Sequence, residues 1–373
     1  MTLRWLALLI GIRTESTRRE GPARNERRGR ILDVFDRGVR QRAGTAAASA
    51  TGEFQSVVLG AAFIGVFLGC TRANLDVIQK AMLDGGADAS GTSDASDASG
   101  ASVDSLATTC PRPSLDAGDM TRTVRVGSVS RSYVLHVPAT YDGSKSVPLV
   151  VDFHVNGGSG SLERSTSPYP AVTDAEGVVM AFPTGLSGPM GPAWNIGPCC
   201  VADVDDVGFA RALVADVKSN ACIDSKRVYA TGILTGGGMA YYLACNAADV
   251  FAAIAPAGFD LVQENVADCK PSRPISVISF RGTAAQLVPY SGGTSSFVPG
   301  MPVTFLGAQA TFQKWAELDQ CGSSASSADG NGCSSYANCQ DSAEVILCTK
   351  QGGGDEAGNA TVAWPALKRH RLP

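Results

Sequence analysis

Histidine is scarce. The 373 residues contain three, His136, His154 and His370, against 35 acidic and 31 basic side chains. Chemistry that needs an imidazole base therefore has three candidates and no more. A zinc site has little to draw on, because the cysteines at 321, 333, 339 and 348 form no C-x-x-C pair and have no histidine nearby. Nothing in the sequence calls for a metal or a cofactor. Long apolar runs are also missing. The most apolar stretch, residues 57–70, follows an Arg-rich segment and is too short to span a bilayer, which leaves a signal-type h-region. A basic surface is absent outside the leader. Residues 1–69 hold 11 Arg and 6 Asp or Glu, leaving 20 basic and 29 acidic side chains for the remainder. That excess of negative charge speaks against nucleic acid or an anionic membrane as partner.

The chain reads in three parts: a basic leader with its h-region over 1–69, a tether over 70–109, and a folded domain over 110–373. The h-region ends Leu68-Gly69-Cys70, similar to a bacterial lipobox, in which Cys70 becomes the lipidated mature N-terminus. An ordinary secretory signal or an N-terminal anchor helix are the other readings. Membrane contact is expected only through a lipid anchor at Cys70. Residues 84–105 are a Gly/Ala/Ser/Asp stretch without aromatics or apolar periodicity, which cannot bury enough surface to offset chain entropy. Of the 11 cysteines, ten follow Cys70, an even number that predicts up to five disulfides in an exported chain without fixing their pairing.

Within 110–373, apolar runs of strand length alternate with helix-competent stretches. Strands are expected at 123–126, 133–137, 147–153, 178–182, 228–231, 251–255 and 275–280, and helices at 205–219, 238–247 and 308–318. This alternation predicts an α/β fold, a doubly wound and mostly parallel sheet with helices on both faces and sites at the carboxyl ends of the strands.

The most informative stretch is Gly232-Ile233-Leu234-Thr235-Gly236, between the strand at 228–231 and an apolar helix. It has the frame of a nucleophile elbow, G-x-S-x-G, with leucine in place of the serine. Taken with Arg131-Ser132-Tyr133-Val134, His154-Val155-Asn156-Gly157-Gly158, Trp194-Asn195 with Cys199-Cys200, and the approach Cys222-Ile223-Asp224, the sequence resembles the α/β-hydrolase family of secreted poly(3-hydroxybutyrate) depolymerases and feruloyl or acetyl-xylan esterases over residues 121–365.

The resemblance implies an ester hydrolase with a Ser-His-Asp triad, and all three triad positions are substituted. Leu234 stands at the nucleophile, Ala285 at the acid in Gly282-Thr283-Ala284-Ala285, and Asp355 at the base in Gly352-Gly353-Gly354-Asp355, with the residues before Trp364-Pro365 as an insertion. The oxyanion loop and cleft fall to His154, Val155, Asn156, Gly157, Thr235 and Trp194, with the backbone donors expected around Asn156 and Gly157. His154 reads as a loop-orienting residue, His136 as structural and His370 as solvated. Thr235 is the one nearby hydroxyl, displaced by a residue from the elbow. Two function classes follow. One is an exported carboxylic ester hydrolase or depolymerase of impaired activity. The other is a pseudoenzyme whose cleft holds a polyester, an aryl or acyl ester, an ester-bearing polysaccharide or a protein partner.

Overall fold

The computed structural model describes Cys110, residues 115–355 and residues 358–373, all within the compact unit Ser96–Pro373. The leader and the tether, Cys70 included, lie outside the described residues. Nine strands form one sheet: β1 (Gly118–Val126), β2 (Val129–Val137), β3 (Val147–Phe153), β4 (Val179–Pro183), β5 (Ile223–Ile233), β6 (Ala253–Ala257), β7 (Ser276–Gly282), β8 (Cys333–Tyr336) and β9 (Val345–Lys350). Their order is β1-β2-β4-β3-β5-β6-β7-β9-β8. Strands β4, β3, β5, β6, β7 and β9 run parallel, while β1, β2 and β8 close the two edges antiparallel.

The central strands are buried on both faces, which is why they read as continuous apolar runs rather than alternating ones. Alternate residues of β3 feed two cores, Leu149, Val151 and Phe153 one and Val150 the other. The first core is covered by α3 (Asp206–Asn220), α4 (Thr235–Asn246) and α5 (Ala308–Leu318) through Phe209, Leu213, Met239, Leu243, Phe312 and Trp315. The second is covered by α2 (Pro170–Thr173) and α6 (Ala360–Leu367), with Trp364 edge-on to Tyr229 of β5. A further helix, α1 (Gly160–Thr166), follows the loop after β3; Ser159 caps it by accepting from the Leu162 N–H. Among the described residues no helix is long and apolar enough to cross a membrane.

Among the described residues five disulfides form: Cys110–Cys222, the neighbours Cys199–Cys200, Cys245–Cys269, Cys321–Cys339 and Cys333–Cys348. The ten cysteines after Cys70 are all used, as their even number suggested, and such density fits an oxidising compartment. The register places Phe153 beside Gly232, and Gly232 beside Pro256, so β3, β5 and β6 end level with one another. Gly282 and Lys350 end β7 and β9 side by side in the same way. The loops carrying the expected site residues therefore leave one edge of the sheet.

Candidate active site

β5, the middle strand, turns into α4 through Leu234, whose φ of 51° and ψ of −121° lie in a region that side-chain-bearing residues rarely occupy. Holding a leucine there costs on the order of 1–3 kcal/mol, and the surroundings impose it. The Leu234 N–H donates to the Ala257 carbonyl at 2.9 Å, and its carbonyl accepts from the Gly238 N–H at 2.9 Å. A Cβ at Gly236 would lie 1.8 Å from the Phe153 oxygen, and one at Gly232 would lie 2.4 Å from the Gly236 backbone. The glycines are thus fixed by the closeness of β3, β5 and α4. The elbow is fully built, and it carries an isobutyl group.

The loop after β3 is held by its own hydrogen bonds. The His154 Nε2 accepts from the Gly185 N–H at 2.9 Å, so its protonated Nδ1 donates to the Val155 carbonyl at 2.7 Å. Its ring is fully buried, and burial holds its pKa down to about 4. Both nitrogens are engaged and the ring stays neutral, so His154 has no lone pair to offer as a base. Beyond it, the Asn156 N–H donates to the Thr235 hydroxyl at 2.6 Å, Gly157 N–H to the Pro192 carbonyl at 2.8 Å, and Gly158 N–H to the Val155 carbonyl at 2.8 Å. The expectation of free backbone donors at Asn156 and Gly157 is therefore not met. Both are spent, on a side chain of the elbow and on the ribbon formed by Leu186–Gly188 and Gly191–Ala193.

Trp194 also departs from its expected place. It is fully buried, edge-on to Phe153, with its indole N–H donating to the His154 carbonyl at 2.8 Å. It props the loop from below and lines no cleft. Asn195 is anchored alongside, its backbone N–H on the Asp206 carboxylate at 2.7 Å, and Asp206 is in turn ion-paired with buried Arg131 at 2.6 Å.

The loops after β7 and β9 are stitched together. Ala284 N–H donates to the Gly353 carbonyl and Thr283 N–H to the Lys350 carbonyl, at 2.8 and 3.1 Å. The Asp355 carboxylate reaches across to accept from three consecutive backbone N–H groups, Gln286 at 3.0 Å, Leu287 at 3.0 Å and Val288 at 3.1 Å. Ala285 begins this turn and brings no carboxylate of its own. A Cβ on Gly258 (φ +65°) would lie 1.9 Å from the Asp355 carbonyl oxygen and 3.5 Å from the Leu234 Cδ2. Gly258 thus lets the Asp355 backbone and the Leu234 side chain approach the same point. The sequence did not single out Gly258; a glycine one residue past β6 was its only signal.

The other histidines lie elsewhere. His136 on β2 contacts Asp119 and Asp174 at 2.7 and 3.2 Å. His370, expected to be solvated, is only 9% exposed; its Nδ1 meets the Ser276 hydroxyl at 3.0 Å and its Nε2 faces Glu344 at 3.2 Å, at the start of β7 and away from the elbow. The structure thus brings together Leu234, Thr235, Asn156, Asp355 and the Ala285 turn, with no imidazole among them.

No protein-family model matches the sequence. Feruloyl esterase B of Piromyces equi is 42% identical over 246 residues, which cover 65% of this chain and 46% of that protein. Feruloyl esterase C of Emericella nidulans is 29% identical over 171 residues, 44% of this chain and 58% of that protein. The chain spans about half the length of the first curated relatives it matches. Among solved structures, an acetyl xylan esterase from Aspergillus awamori superposes with a TM-score of 0.50 at 15% identity, over 67% of this chain and 99% of that one. The fold is the α/β-hydrolase fold, and in sequence the chain is related to esterases.

Proposed function

From that relationship we propose that the chain is an exported protein of esterase descent whose cleft retains a carboxylic ester, of the feruloyl, aryl or polyester type, without hydrolysing it. One observation carries the reading: the elbow keeps its strained backbone with Leu234 at its tip, and His154 in the adjoining loop has both ring nitrogens engaged elsewhere. Acyl transfer needs a hydroxyl, a base and donors for the oxyanion. Losing one triad member costs ~10⁴–10⁶ in kcat, and further losses add little because the members act as a unit. Ala285 and Asp355 at the other two positions are coherent with a centre released from catalysis.

The experiment is an ester-hydrolysis assay with p-nitrophenyl esters and methyl ferulate, together with labelling by a fluorophosphonate. The native chain should do neither. The triple change Leu234→Ser, Ala285→Asp, Asp355→His should label at the introduced serine, and each single change should not. Turnover by the unmodified chain would overturn the proposal. That outcome is the second reading, favoured by the 42% identity to feruloyl esterase B, and Thr235 would be the hydroxyl to test first. Export by a lipid anchor at Cys70, with residues 1–69 removed and a tether over 70–109, belongs to the same proposal. Detergent-phase partitioning unchanged by Cys70→Ala would rule out the anchor.

A further inference from the structure

A cavity of about 240 Å³ lies along α4, between that helix and the segment following β6. Neither Leu234, Ala285 nor Asp355 lines it. Its size is below the ~300–1,000 Å³ of pockets for drug-sized ligands and suits a molecule of about one ring. The walls are fixed covalently, since the Cys245–Cys269 disulfide joins α4 to the far side of the cavity and both cysteines line it. Asn265 closes a third side by donating from Nδ2 to the Ile196 carbonyl at 2.8 Å. A hollow held this way loses little freedom when it is filled.

The hydrogen-bonding character of the lining is one-sided. Asn265 gives one amide N–H to the Ile196 carbonyl, and Asn246 gives one of its own to the Tyr242 carbonyl at 2.8 Å. Tyr241 shares its hydroxyl with Ser279 at 2.5 Å. No Lys, Arg or His lines the cavity, while Asp260 and Asp268 do. Asp260 is 1% exposed, yet neither of its oxygens has a hydrogen-bond donor. The Arg281 Nε lies 3.1 Å from Oδ1 and supplies charge without a well-aligned N–H; its NH2 group is turned to the Val288 carbonyl at 2.7 Å. Buried acceptors left without donors are costly, so Asp260 is a standing demand for an N–H or O–H. Phe259, Tyr241 and Tyr242 add aromatic surface to the same lining.

We infer that this cavity is a binding site for a small organic cation, a single-ring ammonium or guanidinium. The cation brings several donors to a lining that holds the unbonded oxygens of Asp260, its charge meets Asp268, and its hydrocarbon part lies on aromatic faces that attract cations. A neutral polyol fits the lining less well, because it brings no charge to Asp268 and gains nothing from aromatic faces that attract cations.

The test is calorimetric titration of the full chain at low salt with benzylamine hydrochloride, benzyl alcohol and D-xylose. Benzylammonium should saturate one site and bind at least tenfold tighter than benzyl alcohol, with xylose weaker still. Asp268→Asn, at an exposed position where folding is not at stake, should weaken benzylammonium at least fivefold, and Tyr242→Leu should weaken benzylammonium more than it weakens benzyl alcohol. Equal binding of the amine and the alcohol, preferential binding of xylose, no saturable amine binding, or an Asp268→Asn variant with undiminished affinity would each overturn the assignment.

Discussion

The Asn156 main-chain N–H donates to the Thr235 hydroxyl at 2.6 Å, so the loop after β3 is tied to the first helical residue past the elbow. In an acyl-transferring site, a backbone N–H at this point would be aimed at the developing oxyanion, a contact worth ~10²–10³ in rate. Here it is consumed internally. Adding Thr235→Ala to the triple change should therefore raise fluorophosphonate labelling by about tenfold, as the N–H is released. A rate that falls instead would mean that the hydroxyl positions the loop rather than occupying its donor.

The elbow glycines answer to stability alone. Gly236→Ala would bring a methyl group to within 1.8 Å of the Phe153 oxygen, which is backbone and cannot rotate aside. The expected loss is about 3 kcal/mol or more. Chemical denaturation measures it, and a variant within about 1 kcal/mol of the native chain would show that β3 and α4 can part.

Asp355 acts as a clamp. Its carboxylate accepts from the N–H groups of Gln286, Leu287 and Val288, and hydrogen bonds to a charged group contribute about 1.5–3 kcal/mol. Asp355→Ala should cost stability in that range. It should also speed amide hydrogen exchange at 286–288 before the rest of the sheet responds. Unchanged exchange at those amides would be incompatible with the clamp.

A buried acid pair sets the response to alkali. Burial, and then the charge of neighbouring Asp152, push the Glu163 carboxyl up to about 9. The folded chain therefore binds a proton that the unfolded chain has already lost, and stability falls as pH rises towards that value. Asp260 and Asp319, raised by burial to about 7, act with the same sign at lower pH. His154, lowered to about 4, acts with the opposite sign between that value and its ordinary 6.5. Between pH 7 and 9 Glu163 is left largely alone. Urea midpoints should decline across that window in the native chain, by at most ~1.4 kcal/mol per pH unit, and should be flatter in Glu163→Gln. Parallel declines in the two proteins would refute it.

Much of this architecture was legible beforehand because the central strands are buried on both faces. Their apolar runs are continuous, so β3 at Val147–Phe153 and α5 at Ala308–Leu318 match expectation at both ends. Helix α6 escaped because Pro365 lies inside it, a residue that normally ends helices. β8 and β9 escaped because they are short and sit among cysteines that drew the reading towards loops and disulfides. The elbow frame was visible for a steric reason: only glycine tolerates the contacts at 232 and 236. The spent N–H groups of Asn156 and Gly157 were not visible, since their acceptors, Thr235 and Pro192, are brought up only by the fold. Trp194 was misplaced on the same ground, because an indole that supports a loop from beneath and one that lines a cleft have the same signature in sequence.

The backbone at Leu234 has a consequence for how this chain could change. The turn has the backbone of a nucleophile elbow although a leucine side chain cannot act as a nucleophile, so under the proposed function placing a hydroxyl there requires no rearrangement of the main chain. Some leucine codons lie one base from serine, some alanine codons one base from aspartate, and both aspartate codons one base from histidine. If the proposed positions are right, the distance to a charged and hydroxylated centre is measured in point mutations rather than in folds.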